Sequence, residues 1–280
     1  MKKFLALTMA MAMVFTLAAC GGNGGSASNG SAGAGSSSSA GAASSNGADS
    51  SSASELTTVQ SGKLIMSTNA AFPPYEMTTD AGGFEGIDVE IAQAIADKLG
   101  LELVIDNMDF DSALLAVQQG KSDMVMAGVS VTEDRQLVMD FSNSYATGIQ
   151  VIIVTENSEV TLDNLGDQMI GTQRATTGSI YCTDDYGDDH VIAYDNGMTA
   201  VQALLNGQVD CVVIDSAPAH AYVEANPGLT ILDTEYVTED YAIGLNKGNA
   251  ALLDAINATL DELMADGTVQ SIIDKYISST

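Results

Sequence analysis

From Glu55 to the C-terminus, short β-branched apolar runs alternate with segments of helical periodicity, and this alternation restricts the fold more than any other feature. Lys63–Thr68 reads as a strand. Between Asp88 and Leu99, residues Val89, Ile91, Ala92, Ile95, Ala96 and Leu99 share one helical face, and Gly100 ends the segment. Leu101–Ile105 is predicted as a strand, Asp111–Gln119 as a helix and Asp123–Ala127 as a buried strand. Ile149–Thr155 is strongly β-branched and suited to crossing between lobes. A second series follows: strands at Met169–Gln173, Val191–Tyr194 and Cys211–Ile214, with helices at Gly178–Asp185, Thr199–Asn206 and Ala217–Ala225. Tyr241–Leu245 is a further strand, and helices at Ala250–Ala265 and Val269–Ile277 close the chain. Two such series predict an α/β fold of two doubly wound α/β lobes joined by two crossing segments, with lobe I at 56–146 and 243–280 and lobe II at 147–242. Ligands on sheets of this kind bind beyond the carboxyl ends of the strands.

The N-terminus is of another kind. Met1-Lys2-Lys3 precedes an apolar run from Phe4 to Ala19. At ~1.5 Å per residue that run is too short for a ~30 Å hydrocarbon core, so 1–19 reads as a secretory leader. Leu17-Ala18-Ala19-Cys20 resembles the lipobox of bacterial lipoproteins, which implies lipidation of Cys20 and an extracytoplasmic protein anchored to the outer face of the cell membrane. The alternative is an ordinary leader with an incidental cysteine. Residues 20–55, after the cysteine almost entirely Gly, Ser, Ala and Asn, cannot bury enough apolar surface to offset ordering and read as a tether. With 9 Lys+Arg against 37 Asp+Glu, the chain has no basic footprint for nucleic acid or anionic headgroups. Its only arginines are Arg135 and Arg174, which makes their positions informative.

Four loops at strand ends carry candidate chemistry. Asn69 to Glu76 holds Phe72 and Tyr75 around Pro73-Pro74, rigid aromatics that either wall a small-molecule pocket or cover the core edge. In Gly128-Val-Ser130-Val-Thr132-Glu-Asp-Arg135, Thr132 suits an N-cap, whereas Arg135 in the first turn opposes the helix dipole by ~0.3–1 kcal/mol. Beside the Ser130 hydroxyl its guanidinium is placed to clamp a carboxylate, or alternatively to pair with a nearby acid. Gln173-Arg174-Ala175-Thr176-Thr177-Gly178 joins a strand to a helix start, where an anion is favoured; Arg174 either reinforces this or is a solvated loop charge. Asp215 ends a strand, placed to accept an ammonium group or to cap the helix after it. One cation and two donor-rich turns for a carboxylate, an acid for an amine and aromatics for the remainder together describe a free amino acid.

Over residues 60–280 the sequence resembles the polar-amino-acid solute-binding proteins of ABC importers, family 3. The resemblance is carried by Gly86-Ile87-Asp88-Val89-Glu90-Ile91 with Ile95-Ala96 and Leu99, by Ala71 to Glu76, and by Thr132-Glu133-Asp134-Arg135. Asp140-Phe141-Ser142, Val209-Asp210, Asp215 with Pro218-Ala219, and Asp266-Gly267-Thr268 extend it. It implies a periplasmic-binding-protein-like type II fold. It also implies capture of a free polar amino acid between closing lobes, and delivery to an ABC importer permease in the membrane by a monomer. By this resemblance Arg135 grips the ligand α-carboxylate, helped by Ser130 and the Thr176–Thr177 turn. Gly128 offers its carbonyl and Asp215 holds the α-ammonium. Phe72 and Phe110 sandwich the ligand side chain, and Asn69 and Gln173 line its polar end. Three departures stand out: Ala175 where relatives usually have Gly, Asn69 where relatives that bind cationic side chains have Asp, and the unusual Arg174, which points to an acidic side chain.

Two other classes share this sequence profile: a ligand-sensing lipoprotein without an importer, and a dehydratase-type enzyme on the same fold. Gly128-Val-Ser130-Val-Thr132 lacks the closing glycine of a nucleophile elbow, and His190 and His220 have no metal-ligand spacing. The expectation is therefore a non-enzyme without cofactor or metal. With Cys20 set aside, Cys182 and Cys211 form an even pair. In an oxidising compartment they either bridge or stand as two buried thiols.

Overall fold

The computed structural model describes residues 56–277; the predicted leader, Cys20 and the tether lie outside the described residues. The first lobe opens with β1 (Lys63–Thr68) and three short strands, β2 (Ala71–Phe72), β3 (Glu76–Thr78) and β4 (Phe84–Glu85). Helix α1 (Ile87–Leu99), β5 (Glu102–Asn107), α2 (Phe110–Gln118), β6 (Met124–Val125) and the six-residue α3 (Glu133–Val138) follow. β7 (Met139–Thr155) leads into the second lobe, built from β8 (Ile170–Gln173), α4 (Thr177–Tyr186), β9 (Val191–Tyr194), α5 (Gly197–Leu205), β10 (Cys211–Asp215), α6 (Ser216–Ala225) and β11 (Leu229–Ile231). β12 (Val237–Asn246) returns the chain, and α7 (Ala250–Ala265) and α8 (Thr268–Tyr276) pack on the first lobe.

The main sheet runs β5-β1-β6-β12-β7-β10-β8-β9, with β11 on the end of β7. The central strands β7 and β12 are antiparallel, while both flanks are parallel: β5, β1 and β6 on one side, β10, β8 and β9 on the other. Parallel strands need crossover helices, and those helices bury both faces of the sheet, which is why β1 and β10 read as apolar runs. In α1, Ile87, Val89, Ile91, Ala92, Ile95 and Ala96 are buried, and Gly100, left-handed at φ 68°, caps its end.

One expected strand is much longer than predicted. The β-branched run at 149–155 is only the second half of the 17-residue β7. In its first half only every third residue (Met139, Ser142 and Tyr145) is buried and the residues between are mostly polar, so no apolar run marks it. Strands β2 to β4, two or three residues each and without a period in the sequence, form a separate three-stranded sheet. Strand ends at Thr68, Val125, Gln173 and Asp215 all face the region between the lobes, and the candidate residues follow from there.

Candidate functional site

A cleft enclosing about 410 Å³ lies at these strand ends. The structure brings Asn69, Phe72, Phe110, Gly128, Ser130, Arg135, Gln173, Thr176, Thr177 and Asp215 to its walls. Each is set there by local chemistry. Thr132 caps α3 by accepting the Arg135 backbone N–H at 3.2 Å, which fixes Arg135 in the first turn. Thr176 caps α4 in the same way through the Ser179 N–H at 3.2 Å, so Thr176 and Thr177 stand at the positive end of that helix. Gly128 is left-handed at φ +54°, and a Cβ there would sit 2.9 Å from Phe72 Cε1. Only glycine lets the loop turn while the Phe72 ring lies against it.

Arg135 is 8 % exposed. Nη1 donates to the Ser130 carbonyl at 2.9 Å, Nη2 donates to the Ala175 carbonyl at 3.0 Å, and Cζ lies 5.5 Å from the Phe110 ring centroid. Among the described residues no carboxylate lies within ion-pair distance of it. Burial lowers the guanidinium's pKa from its ordinary value, and Glu239 electrostatically opposes that shift. Carbonyls satisfy its N–H groups without neutralising it, so a buried cation stays poised for an anion.

Asp215 is the complementary group. It is 1 % exposed; Oδ1 accepts the Ala217 N–H at 3.0 Å, capping α6, and Oδ2 accepts the Ile149 N–H at 2.9 Å. The cap and the cleft-facing acid are thus the same side chain. Burial pushes its pKa up to about 6, held back by those two N–H donors and the Tyr241 hydroxyl. On the cleft wall Asn69 and Gln173 are tied together: Asn69 Nδ2 donates to the Met108 carbonyl at 2.9 Å, and Gln173 Nε2 donates to Asn69 Oδ1 at 3.0 Å. Gln173 Oε1 is buried without a partner among the described residues. Four hydrogen bonds span the cleft, from Arg135 to Ala175, Ser130 to Thr177, Gln173 to Asn69 and Tyr222 to Ala71.

Two sequence readings are corrected or resolved. Arg174 does not line the cleft; half-exposed, it pairs with Asp195 at 2.7 Å and stands 3.9 Å from Asp111, so its charge is spent at the rim. Cys182 and Cys211 are free thiols buried in one cluster with Ile152, Leu165, Ile170 and Val213, and burial pushes both up to about 12. The bridge is not formed.

Glu76, Gln150, Ile214, Ala127 and Tyr241 also line the cleft and were not expected there. Behind them, Glu239 Oε2 accepts from Thr177 Oγ1 at 2.7 Å and from Gln150 Nε2 at 3.1 Å. Glu76 lay inside a loop already singled out. Gln150, a lone polar residue in a β-branched run, was the one other visible signal. Among the described residues no group of three or more His, Cys, Asp or Glu is placed to hold a metal ion.

Two α/β lobes, linked by two antiparallel strands and closing on a buried cation and a buried acid, define a binding protein of the periplasmic type II architecture. The family model "Bacterial extracellular solute-binding proteins, family 3" matches residues 64–279, and the chain belongs to that family. Among relatives, it is 28% identical to the "Probable histidine-binding protein" of Neisseria gonorrhoeae, over 99% of this chain and 96% of that protein. It is also 28% identical to "ABC transporter arginine-binding protein 1" of Escherichia coli (strain K12), over 76% of this chain and 90% of that protein. Among solved structures, "An ancestral arginine-binding protein bound to glutamine" is 37% identical with a TM-score of 0.74, covering 78% of this chain and 99% of that one.

Proposed function

We propose that this chain is an extracytoplasmic lipoprotein that captures a free α-amino acid and delivers it to an ABC importer permease. The observation that carries the reading is the pair of buried, uncompensated charges facing one cleft, Arg135 from α3 and Asp215 from the end of β10. A zwitterion satisfies both. Arg135 binds the α-carboxylate with Ser130 and the Thr176–Thr177 turn, Asp215 takes the α-ammonium with the Gly128 carbonyl, and Phe72 and Phe110 flank the side chain. The lobes divide at 146/147 and 242/243, a reading supported by the register shifts between β7 and β12 around Tyr241 and Ala242. The protein acts as a monomer and catalyses no reaction.

The side-chain end of the cleft supports an uncharged ligand that donates a hydrogen bond. Asn69 is consumed by Met108 and Gln173, and what remains is a neutral acceptor, Gln173 Oε1. A carboxamide N–H fits it. An acidic side chain would meet acceptor against acceptor, and the one arginine at that end is already paired. Glutamine is bound in the solved structure of an ancestral arginine-binding protein 37% identical to this chain, and arginine in another 38% identical. Mass spectrometry of the small molecule released from protein purified without added ligand, followed by calorimetry with the standard amino acids, tests it. A carboxamide amino acid binding more tightly than aspartate, glutamate or arginine is the expected result; a ligand that is not an α-amino acid would overturn it. Lipidation at Cys20 is checked by a diacylglyceryl mass on the N-terminus that Cys20→Ala lacks.

A further inference from the structure

Two carboxyl groups beneath the ligand loop are not used by the reading above. Glu76, the first residue of β3, is fully buried, and neither of its oxygens has a hydrogen-bond partner among the described residues. The Asp88 N–H donates to the Tyr75 carbonyl at 2.9 Å, which sets a second fully buried carboxyl, Asp88 on α1, beside the Glu76 segment, and the Asp88 charge acts on Glu76. Asp88, by contrast, is well supplied with donors: Oδ2 accepts the Gly128 N–H at 2.9 Å, and Oδ1 accepts the Tyr145 hydroxyl at 2.7 Å. Two carboxylates in contact without a cation do not both ionise. The charge belongs on the oxygen pair that receives donors, which is Asp88. The proton belongs on the pair that receives none, which is Glu76. Burial and the Asp88 charge accordingly hold Glu76 well above the carboxylate range.

We propose that Glu76 and Asp88 work as one carboxylic acid–carboxylate unit, in which the Glu76 O–H donates to Asp88 and Asp88 positions both Gly128 of the ligand loop and Tyr145 of the crossing strand β7. Glu76 and Asp88 are positioning residues. The idea rests on the amino-acid reading only in calling the 128–130 turn a ligand loop; the pair itself belongs to the ligand-free protein. Loss of the shared proton would set two negative charges side by side and weaken the hold on Gly128 and on β7 together.

Among the described residues no cation pairs with either carboxyl. The groups facing the pair are Tyr75 on the connecting turn, Tyr145 on β7 and Tyr222 on α6, with Asp215 on β10 beyond Tyr75. Glu85 on β4 is exposed. Lys275 on α8 is engaged by Glu90 on the exposed side of α1, and Lys98 on α1 by Glu262 on α7.

Infrared spectroscopy of the ligand-free protein provides the test. At about pH 7 nearly all carboxyls are ionised, so a protonated-carboxyl stretch should stand out. Isotope-labelled glutamate should shift it, which assigns it to a Glu in the wild type and needs no variant to fold. Glu76→Gln should remove that band while keeping a donor toward Asp88. As the wild-type band titrates away with rising pH, the Gly128 amide and Tyr145 signals in NMR spectra should move with the same midpoint, and in Glu76→Gln they should stay still. The melting temperature of the wild type should fall relative to Glu76→Gln between about pH 5 and about pH 8, because the folded state holds a proton the unfolded chain has released. A spectrum without a glutamate-shifted band, or a band whose titration leaves Gly128 and Tyr145 unmoved, overturns the proposal. None of these readouts uses a ligand, so they stand or fall apart from the amino-acid assignment.

Discussion

A single buried acid sets how ligand capture should depend on pH. Asp215 is raised to about 6 by desolvation, and among the described residues no cation lies within ion-pair distance of it. A ligand ammonium favours the ionised form and lowers that value, so binding releases a proton wherever the free protein is protonated. Affinity should therefore be flat above about pH 6 and fall below it by up to ~10-fold per pH unit, the linkage limit for one proton. Calorimetry in buffers of different ionisation enthalpy measures both the slope and the proton count. A profile that is level down to about pH 5 would separate Asp215 from the ligand. The neighbouring Ala175 makes a second prediction at this scale. It has a left-handed φ of 64°, a strained conformation for a residue with a Cβ, and its carbonyl receives Arg135. Ala175→Gly relieves ~1–2 kcal/mol of backbone strain and gives back part of it as unfolded-chain entropy, so a net gain of about 0.5–1 kcal/mol is expected in urea unfolding.

The paired strands β7 and β12 carry the next prediction. Gly148 on β7 lies under the Tyr241 ring of β12, and a Cβ there would stand 2.3 Å from Tyr241 Cζ. That ring packs edge-on against Tyr75 at 5.4 Å, and its hydroxyl serves Asp215. Gly148→Ala must displace Tyr241, so a loss of ~1–3 kcal/mol in stability is expected, with weaker binding, whereas Tyr241→Phe should weaken binding and leave the packing intact. A Gly148→Ala protein indistinguishable from wild type in urea unfolding and calorimetry would show that the ring has room to move. The same strands mark the limit of what the sequence reveals. Lys63–Thr68 was legible to the residue because its apolar centre Leu64–Met66 is buried, and Val191–Tyr194, a half-buried edge strand, because it opens on two β-branched residues. The first half of β7 was not, since mostly polar residues separate its buried ones, and β2 and β4, at two residues each, are too short for any period. In the site, Arg135 and Asp215 could be read because they end strands or open helices. Glu76 and Glu239 could not, because their burial arises only when distant segments pack.

For the molecule as a whole, the two proposed clamps sit on different lobes, and in the proposed reading their separation turns binding into closure. Arg135 belongs to the segment between β6 and β7, Asp215 to the end of β10, and the lobes meet through β7 and β12 alone among the main-sheet strands. A ligand shifts the balance between open and closed forms only by its differential affinity for the closed one. A zwitterion has that property, because its carboxylate and ammonium are both satisfied only when the lobes meet. Removing one clamp leaves a ligand charge desolvated and unpaired, at ~2–5 kcal/mol, or roughly 30- to 5,000-fold in affinity. Arg135→Lys should also lose most of the affinity, since a point charge cannot donate in parallel to two carboxylate oxygens while holding the Ser130 and Ala175 carbonyls. Arg135→Ala frees the Ser130 and Ala175 carbonyls but also removes a buried, unneutralised cation, so the readout is the rise in melting temperature on adding the co-purified amino acid, which should disappear. Small-angle scattering of the same samples follows compaction directly. Wild type should contract on ligand addition, and Arg135→Ala and Asp215→Ala should not. If either variant, shown to be folded, still binds within about threefold of wild type, a difference of under ~1 kcal/mol that suits a solvated surface charge, then the zwitterion is held elsewhere.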